Sequence, residues 1–376
     1  MVVASGAGGR ADVTANRTPV RRHCRTTAHL VGVAVCTGYT TYARAGRGSP
    51  LGWCTMAVVV CGEALIDLIP DNSRAGTTQS SYWQAHSAGG PLNTAVALSR
   101  LGVPTRFLGR FGIDGFGAQL RSHLRANGVD DSLGVQTLAG STSLSVVSVD
   151  SSGAARYVFH LRGTANFGWK PEEFPQLDAD DWLHTGSLVA TMKPGRSALL
   201  DFVRTTPAHL SYDLNVRPTV EPDPDAYLAL IDPFMQVVSR RGGVVRASDE
   251  DLLWLAGGHG EIDDLARAAV ERYGMDLLVV TLGAHGALAT GVGRETVRVP
   301  GFPAAVVDTV GAGDTFTAGF LQGWLRDADL TAALLRGCAA ASIVCTRVGA
   351  DPPTAAEVDE LLAAGPTRTD PPPDTA

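Results

Sequence analysis

Residues 308–320 read Asp-Thr-Val-Gly-Ala-Gly-Asp-Thr-Phe-Thr-Ala-Gly-Phe. The stretch follows a segment expected to be extended, Val297 to Val307, and runs into an apolar helical pattern of Phe316, Phe320, Leu321, Trp324 and Leu325. A glycine-rich turn at a helix N-terminus is the expected local structure. Gly311 and Gly313 let the backbone take unusual dihedrals and approach a ligand closely. The first N–H groups of such a helix lack internal partners and, with the helix dipole, form a site for an anion such as phosphate. Asp314 lies inside this turn. A carboxylate beside an anion site is electrostatically costly, and it makes sense as the base that deprotonates a hydroxyl attacking a phosphate. A helix N-cap aspartate is the plainer reading of the same residue.

The longer string Asp308-Thr-Val-Gly-Ala-Gly-Asp-Thr-Phe316 resembles the C-terminal signature of the ribokinase-like (PfkB) carbohydrate kinases. A second segment, Ala88-Gly-Gly-Pro-Leu-Asn-Thr-Ala-Val-Ala-Leu-Ser-Arg-Leu-Gly102, is similar to that family's N-terminal signature. The two occur in the family's order, and the resemblance extends over roughly residues 57–362. It implies an α/β fold of ribokinase type, with a mainly parallel sheet flanked by helices and a small β lid. The implied activity is ATP-dependent phosphorylation of a sugar hydroxyl, with Mg²⁺ and, in some relatives, K⁺.

Composition agrees with an ordinary globular enzyme. The chain has 376 residues, 45% hydrophobic and 18% charged, with a net charge of −7. No apolar run is long enough to span a membrane. Residues 1–55 hold seven Arg and one acid, Asp12, leaving 24 bases and 37 acids in the remainder. An acidic body argues against general nucleic-acid binding. The six cysteines show neither a Cys-x-x-Cys pair nor metal-ligand spacing, which points to reduced thiols and a cytoplasmic protein.

The first 55 residues are rich in Arg, Thr, Gly and Ala without a sustained hydrophobic period. They read as a disordered or mis-annotated extension, with an Arg-rich targeting peptide as the alternative. The kinase domain is expected over 56–365, and the Pro-rich stretch 366–376 as a disordered tail. Within the domain, Ala57–Cys61 and Leu277–Thr281 are continuous apolar runs, as strands covered on both faces require. Amphipathic helices are expected at Asn93–Leu101, Gly117–Asn127, Asp263–Tyr273 and Leu330–Cys345. Thr142–Val149 and Ala155–Arg162 alternate apolar and polar residues around the turn-rich Asp150-Ser-Ser-Gly153, which fits a hairpin with one exposed face. By the resemblance, the lid occupies about 65–88 and 141–166.

The usual Gly-x-x-x-x-Gly-Lys-Ser/Thr phosphate loop is absent, and the only two lysines, Lys170 and Lys193, each precede a proline. The Gly311-Ala312-Gly313 turn is the remaining device, and the resemblance assigns it the anion-hole role, with Asp314 as base. Asp67 follows the first core strand, at the edge where open α/β sheets bind ligands. The resemblance makes it a sugar ligand, against a turn-forming aspartate. Gly89 and Asn93 sit where the family contacts sugar hydroxyls, although Ala88 replaces the family's first glycine. Arg162 matches an arginine aimed at the sugar in fructokinase-like members, a solvated surface arginine being the other reading.

Asp213-Leu-Asn-Val-Arg-Pro218 resembles the fructokinase subgroup's string. It places Asp213, Asn215 and Arg217 near the nucleotide, unless it is only an Asx-type turn. Ser248-Asp-Glu-Asp251 corresponds to the family's Asn-x-x-Glu. Here Ser248 approaches the nucleotide or caps a helix, and Asp251 acts on Mg²⁺ through water. Thr281, Gly283 and Gly286 resemble the nucleotide-binding turn, and His285 reads as a surface residue. Cys338 stands where relatives face adenine, or simply packs in an Ala-rich helix. Asp308 matches the residue near a monovalent cation in potassium-activated relatives. A homodimer joined through the lid is compatible with the resemblance.

These features favour a fructokinase. Rivals with the same chemistry are 2-keto-3-deoxygluconate kinase, ribokinase and nucleoside kinase. A catalytically silent sugar or nucleotide sensor has no need of the intact Gly-Ala-Gly-Asp. Protein beginning at Met56 is expected to match the full chain in folding and activity. A large loss of either in a side-by-side comparison would give the leader a function.

Overall fold

The computed structural model describes residues 56–74, 76–149 and 155–366, together with 35–36 and 39–40. The chain divides into two compact units, Met1–Pro50 and Leu51–Ala376. In the first, the described residues form one two-residue antiparallel pair, Val35–Cys36 with Tyr39–Thr40. The expectations for the rest of the leader, for the turn at 150–153 and for nearly all of the tail lie outside the described residues.

The strands of the second unit are, in chain order, β1 Val58–Cys61, β2 Leu65–Pro70, β3 Trp83–Ala88, β4 Thr105–Leu108, β5 Arg110–Gly112, β6 Val135–Thr137, β7 Leu144–Val149 and β8 Ala155–His160. They continue as β9 Trp182–Gly186, β10 His209–Asp213, β11 Val244–Ser248, β12 Leu277–Thr281, β13 Ala287–Gly291 and β14 Arg294–Val299. Eight of them form the central sheet in the order β14-β13-β12-β11-β10-β9-β1-β4. From β12 to β4 all pairings are parallel, and β13 and β14 turn back antiparallel at one edge.

Helices cover both faces, and the apolar runs show how. In β1, Val58 and Val60 join one core while Val59 and Cys61 join the other. In β12, Leu277 and Val279 divide from Leu278 and Val280 in the same way. A strand buried on both sides has no polar position to offer, so its sequence loses the alternation seen in half-exposed strands. The first core receives α1 (Gly90–Arg100), α2 (Gly115–Ala126), α7 (Ala312–Asp327) and α8 (Leu330–Cys345). The second receives α3 (Arg196–Thr205), α4 (Pro224–Arg240), α5 (Asp249–Leu255) and α6 (Ile262–Tyr273).

The expected lid segments contain a four-stranded sheet in the order β8-β7-β2-β3. β2 runs parallel to β7 and antiparallel to β3. Buried Asn166 ties the lid to the body: its amide donates to the Ala64 carbonyl and to Ser143 Oγ, both at 2.8 Å.

Two expectations are corrected. α1 begins at Gly90 rather than Asn93, because Pro91 occupies the first turn, where its missing N–H costs nothing. The extended segment ends at Val299 as a strand. Beyond it the chain is a loop whose Val307 and Asp308 N–H groups donate to the Cys345 carbonyl at 2.8 and 3.3 Å.

α7 packs against α8 through small residues. A Cβ added at Gly319 would stand 2.9 Å from the Arg336 carbonyl oxygen and 3.0 Å from Ala340 Cβ. Gly319→Val is therefore expected to lower unfolding free energy by about 1–3 kcal/mol through overpacking. Denaturant titration measures this, and an unchanged midpoint would mean that the two helices do not press on each other there.

Candidate active site

The parallel strands end on one edge of the sheet, and several of the residues singled out from sequence lie there. β10 ends at Asp213 and leads to Asn215 and Arg217, β11 ends at Ser248, and β12 ends at Thr281. Gly311 enters α7 in the left-handed region at φ 76°, which places the first turn of α7 against the same edge. The Ala312 N–H donates to the Thr309 carbonyl at 3.2 Å, whereas no described residue accepts from the N–H of Gly313 or Asp314. The N–H of Gly311 likewise has no acceptor among the described residues, which leaves three unpaired donors around the start of α7.

Asp314 is buried, and Asn93 Nδ2 donates to its Oδ2 at 2.9 Å. Burial pushes its carboxyl pKa up to about 6. The Asp213 charge adds to the rise, while the Asn93 hydrogen bond and the cations Arg217 and Arg246 oppose it. Asn93, expected at the sugar, here holds the Asp314 carboxylate. Asp314 makes no side-chain cap in this structure, so the plain capping reading fails for it.

Asp67 lies on β2, opposite His86 of β3 and Ser145 of β7. Burial holds its carboxyl above the ordinary carboxylate range, with Ser145 and His86 pulling the other way. Phe159 of β8 pairs with Ser145, and Tyr157 stacks on Phe159 with ring centroids 6.2 Å apart. Burial raises the Tyr157 hydroxyl pKa, and the charges of Asp67 and Asp308 raise it further. Tyr157 was not found from sequence. Its signal was only an aromatic at an alternate position of the lid hairpin.

Arg162 is exposed and makes no hydrogen bond or ion pair with a described residue. It borders a cleft of about 450 Å³ lined also by Thr142, Leu144, Phe159, Met192 and Val220. Gly89 leads into α1 at φ 119°.

On the nucleotide side, Gly283 and Gly286 have φ of 54° and 94° in the turn after β12, and His285 is exposed as expected. Arg217 is half-buried. Its Nη1 donates only to its own Val216 carbonyl at 3.0 Å, and its N–H donates to the Tyr227 hydroxyl at 3.1 Å. Asn215 holds a left-handed backbone at φ 39°, strain of a kind that persists where surroundings enforce it.

Ser248 is a helix cap. Its Oγ accepts from the Asp251 N–H at 3.0 Å, and Asp251 Oδ2 accepts from the Ser248 N–H at 2.8 Å. Asp251 Oδ1 accepts from the Val216 N–H at 2.9 Å, which anchors the Asn215–Arg217 turn. Cys338 is 5% exposed within the first core, and burial pushes its thiol up to about 12. That is the packed-helix alternative. Asp308 bridges two loops, accepting from the Val310 N–H at 3.0 Å and the Gly349 N–H at 2.8 Å.

Arg246 and Glu63 are two buried charges near these strand ends that sequence reasoning passed over. Arg246 donates to Asp213 Oδ1 at 3.1 Å and to Thr281 Oγ1 at 2.7 Å. Glu63, 1% exposed, accepts from the Val189 N–H at 3.1 Å. An arginine inside the otherwise apolar Val244-Val-Arg-Ala247 was the available signal for the first.

Residues 56–356 match the pfkB family of carbohydrate kinases. The chain belongs to this family. It is 33% identical over 267 residues to a fructokinase of Klebsiella pneumoniae, covering 70% of this chain and 83% of that one. To a fructokinase of Rhizobium leguminosarum bv. trifolii it is 37% identical over 278 residues, covering 73% and 81%. The crystal structure of fructokinase from Vibrio cholerae O395 with fructose, ADP and calcium ion bound is similar at a TM-score of 0.71 and 27% identity. That match covers 83% of this chain and 99% of the other. The fold is therefore ribokinase-like, and the protein is an ATP-dependent carbohydrate kinase. No helix among the described residues is long and apolar enough to cross a membrane.

A base must be ionised to accept a proton, and a pKa raised to about 6 leaves Asp314 protonated below that pH. In the free enzyme, kcat/KM is expected to fall about tenfold per pH unit below pH 6. A pH–rate profile flat down to pH 4.5 would remove Asp314 from the base role.

Proposed function

We propose that this protein is a fructokinase that transfers the γ-phosphoryl group of ATP to the primary hydroxyl of fructose. The observation that carries the mechanism is the buried Asp314 carboxylate at the mouth of the α7 anion hole. It is held by Asn93 and stands at the sheet edge over which the Asp67 lid is built. The choice of acceptor rests on relatives, among which several fructokinases are 30% or more identical to this chain.

In this reading Asp67, Gly89, Asn93 and Arg162 bind the sugar. A carboxylate and an amide together accept and donate several hydroxyl hydrogen bonds. Asp314 removes the proton from the attacking hydroxyl. The oxygen forms its bond to the γ-phosphorus as the bond to the ADP oxygen breaks, and the proton stays on Asp314. The free N–H groups at the start of α7 receive the charge on the moving phosphoryl, and the guanidinium of Arg217 offsets it. Asp213, Asn215, Ser248, Thr281, Gly283 and Gly286 shape the nucleotide side, and Cys338 supports it from within the core.

Mg²⁺ keeps several waters and is carried mainly by substrate phosphates, so it needs few protein ligands. Asp251 would reach it through water, and the ion would supply charge neutralisation between the phosphates. Asp308 retains lone pairs beyond its two N–H contacts and would hold a monovalent cation such as K⁺ in the loop before α7. The free cysteines Cys61, Cys338 and Cys345 suit a reducing cytoplasm, and a homodimer through the lid fits the exposed Trp83 and Val158.

A nucleoside acceptor is the second reading, favoured by the stacked Tyr157–Phe159 pair. It is also favoured by likeness to aminoimidazole riboside kinase from Salmonella enterica, at 26% identity and a TM-score of 0.69. ADP release should be measured with fructose, ribose, 2-keto-3-deoxygluconate and adenosine, in sodium and in potassium salts. Fructose is expected to have the highest kcat/KM, with faster turnover in potassium, and a clear preference for ribose or adenosine would overturn the assignment. In the same assay Asp314→Asn should lose about 10²–10⁴ in kcat with nucleotide binding kept. A variant retaining a tenth of wild-type turnover would show that Asp314 is not the base.

A further inference from the structure

Arg246 is a buried cation that the mechanism above leaves unused. β11 alternates between the two cores: Val244 faces the core containing α7, and Val245 and Ala247 face the other. By parity Arg246 points to the α7 side, beneath the anion hole. Its contacts bear this out. A Cβ added at Gly313 would stand 2.8 Å from Nη2, 3.1 Å from Nη1 and 3.2 Å from Cζ. Three guanidinium atoms at nearly equal distance mean that the group lies broadside under Gly313.

The same guanidinium reaches both neighbouring strands. Nη1 donates to Asp213 Oδ1 and Oδ2 at 3.1 and 3.3 Å, and Nη2 donates to Thr281 Oγ1 at 2.7 Å. Asp213 Oδ2 also accepts from Thr317 Oγ1 of α7 at 3.4 Å. Asp213 opens the Asn215–Arg217 turn, Thr281 opens the nucleotide turn, and Gly313 carries one of the N–H groups at the start of α7 that have no acceptor among the described residues. Each contact is thus to a different wall of the phosphate site.

A role in stability alone explains this poorly. Burying an ion is costly, and a well-packed apolar side chain is often as good or better at such a position. Here the pairing is also incomplete, because Arg246 Nε is buried without a partner. The Asp213 carboxylate sits at one end of the guanidinium, so the ion pair is a dipole whose positive end lies against Gly313. The other charged or titratable groups around it are Asp314 on α7, Asp251 on α5, His184 on β9 and Arg217 after β10. His184 is held neutral, its pKa pushed down to about 4 by burial and by the Arg246 charge.

Building on the kinase reading, we propose that Arg246 is a positioning residue for phosphoryl transfer, fixing the anion hole, the nucleotide turn and the Asn215–Arg217 turn in one frame. It also presents a fixed positive charge beneath Gly313.

The test compares Arg246→Met and Arg246→Lys with the wild type by steady-state kinetics, a pH profile, calorimetric ADP binding and thermal melting. For Arg246→Met, kcat/KM for ATP should fall by about 10²–10³, the loss expected for one preorganised charge at a phosphoryl site. KM for the sugar should stay within about threefold, because no sugar ligand touches the guanidinium. The acid limb should move to higher pH by about one unit, since a cation near Asp314 is lost. Arg246→Lys keeps the charge but cannot span Asp213 and Thr281 together. Its acid limb should stay in place while kcat/KM for ATP drops about tenfold.

A methionine variant with an unmoved acid limb and equal losses for ATP and sugar would overturn the proposal in favour of a purely structural role. If that variant does not fold, Arg246→Lys decides, and an unchanged kcat/KM for ATP overturns the proposal. The ADP affinity separates this idea from the acceptor assignment. A wild type inactive on every sugar would sink the fructokinase reading, yet at least tenfold weaker ADP binding by Arg246→Met would still support Arg246, and unchanged binding would overturn it.

Discussion

A carboxylate is buried in the first turn of α7, and the surrounding structure is arranged to make that tolerable. The helix start offers positive potential and, at Gly311, Gly313 and Asp314, N–H groups with no acceptor among the described residues, and the Asp314 carboxyl is taken out of water beside them. Isolated, the buried acid would simply stay protonated. Asn93 from α1 and the cations Arg217 and Arg246 bring it back toward ionisation, while Asp213 works against them. The balance leaves a group that can carry charge near neutral pH and also take up a proton, which is what a base for a hydroxyl nucleophile requires.

That balance needs contributions from four places in the chain, and the parallel sheet supplies them. Parallel pairing puts the carboxyl ends of the strands on one edge, so β10, β11 and β12 deliver Asp213, Ser248 and Thr281 side by side. Arg246 crosses the three strands from below, and Asp251 holds the Val216 turn from the side. The separate β8-β7-β2-β3 sheet carries Asp67 and the Tyr157–Phe159 pair, and Asn166 fastens its return to the strand exit at Ala64.

Much of this was legible in the sequence. The runs at 57–61 and 277–281 read as strands covered on both faces, and the segments at 142–149 and 155–162 read as an antiparallel pair; both formed, although the second strand of the pair exposes the adjacent Tyr157 and Val158. The glycine turn before an apolar helix fixed where α7 begins, because positive φ and a helix start are local properties of residues 308–316.

Other parts were settled only by folding. Asn93 and Asp314 are 221 positions apart, and no local pattern announces that an amide in α1 holds the base. Ser248 and Asp251 turned out to cap α5 and brace the Val216 loop, a task decided by the loop that β10 brings to them. Cys338 went into the core because α8 lays that side against α7 and the sheet. Arg246 looked like a misplaced charge in a strand, and it acquired partners only when Asp213, Thr281 and Gly313 came together around it. Local sequence determined strands, turns and the helix start, since these depend on dihedral preference and hydrophobic period over a few residues. The tertiary structure decided ionisation and pairing, because electrostatic energy in a buried site depends on every charge within reach, whatever its distance along the chain.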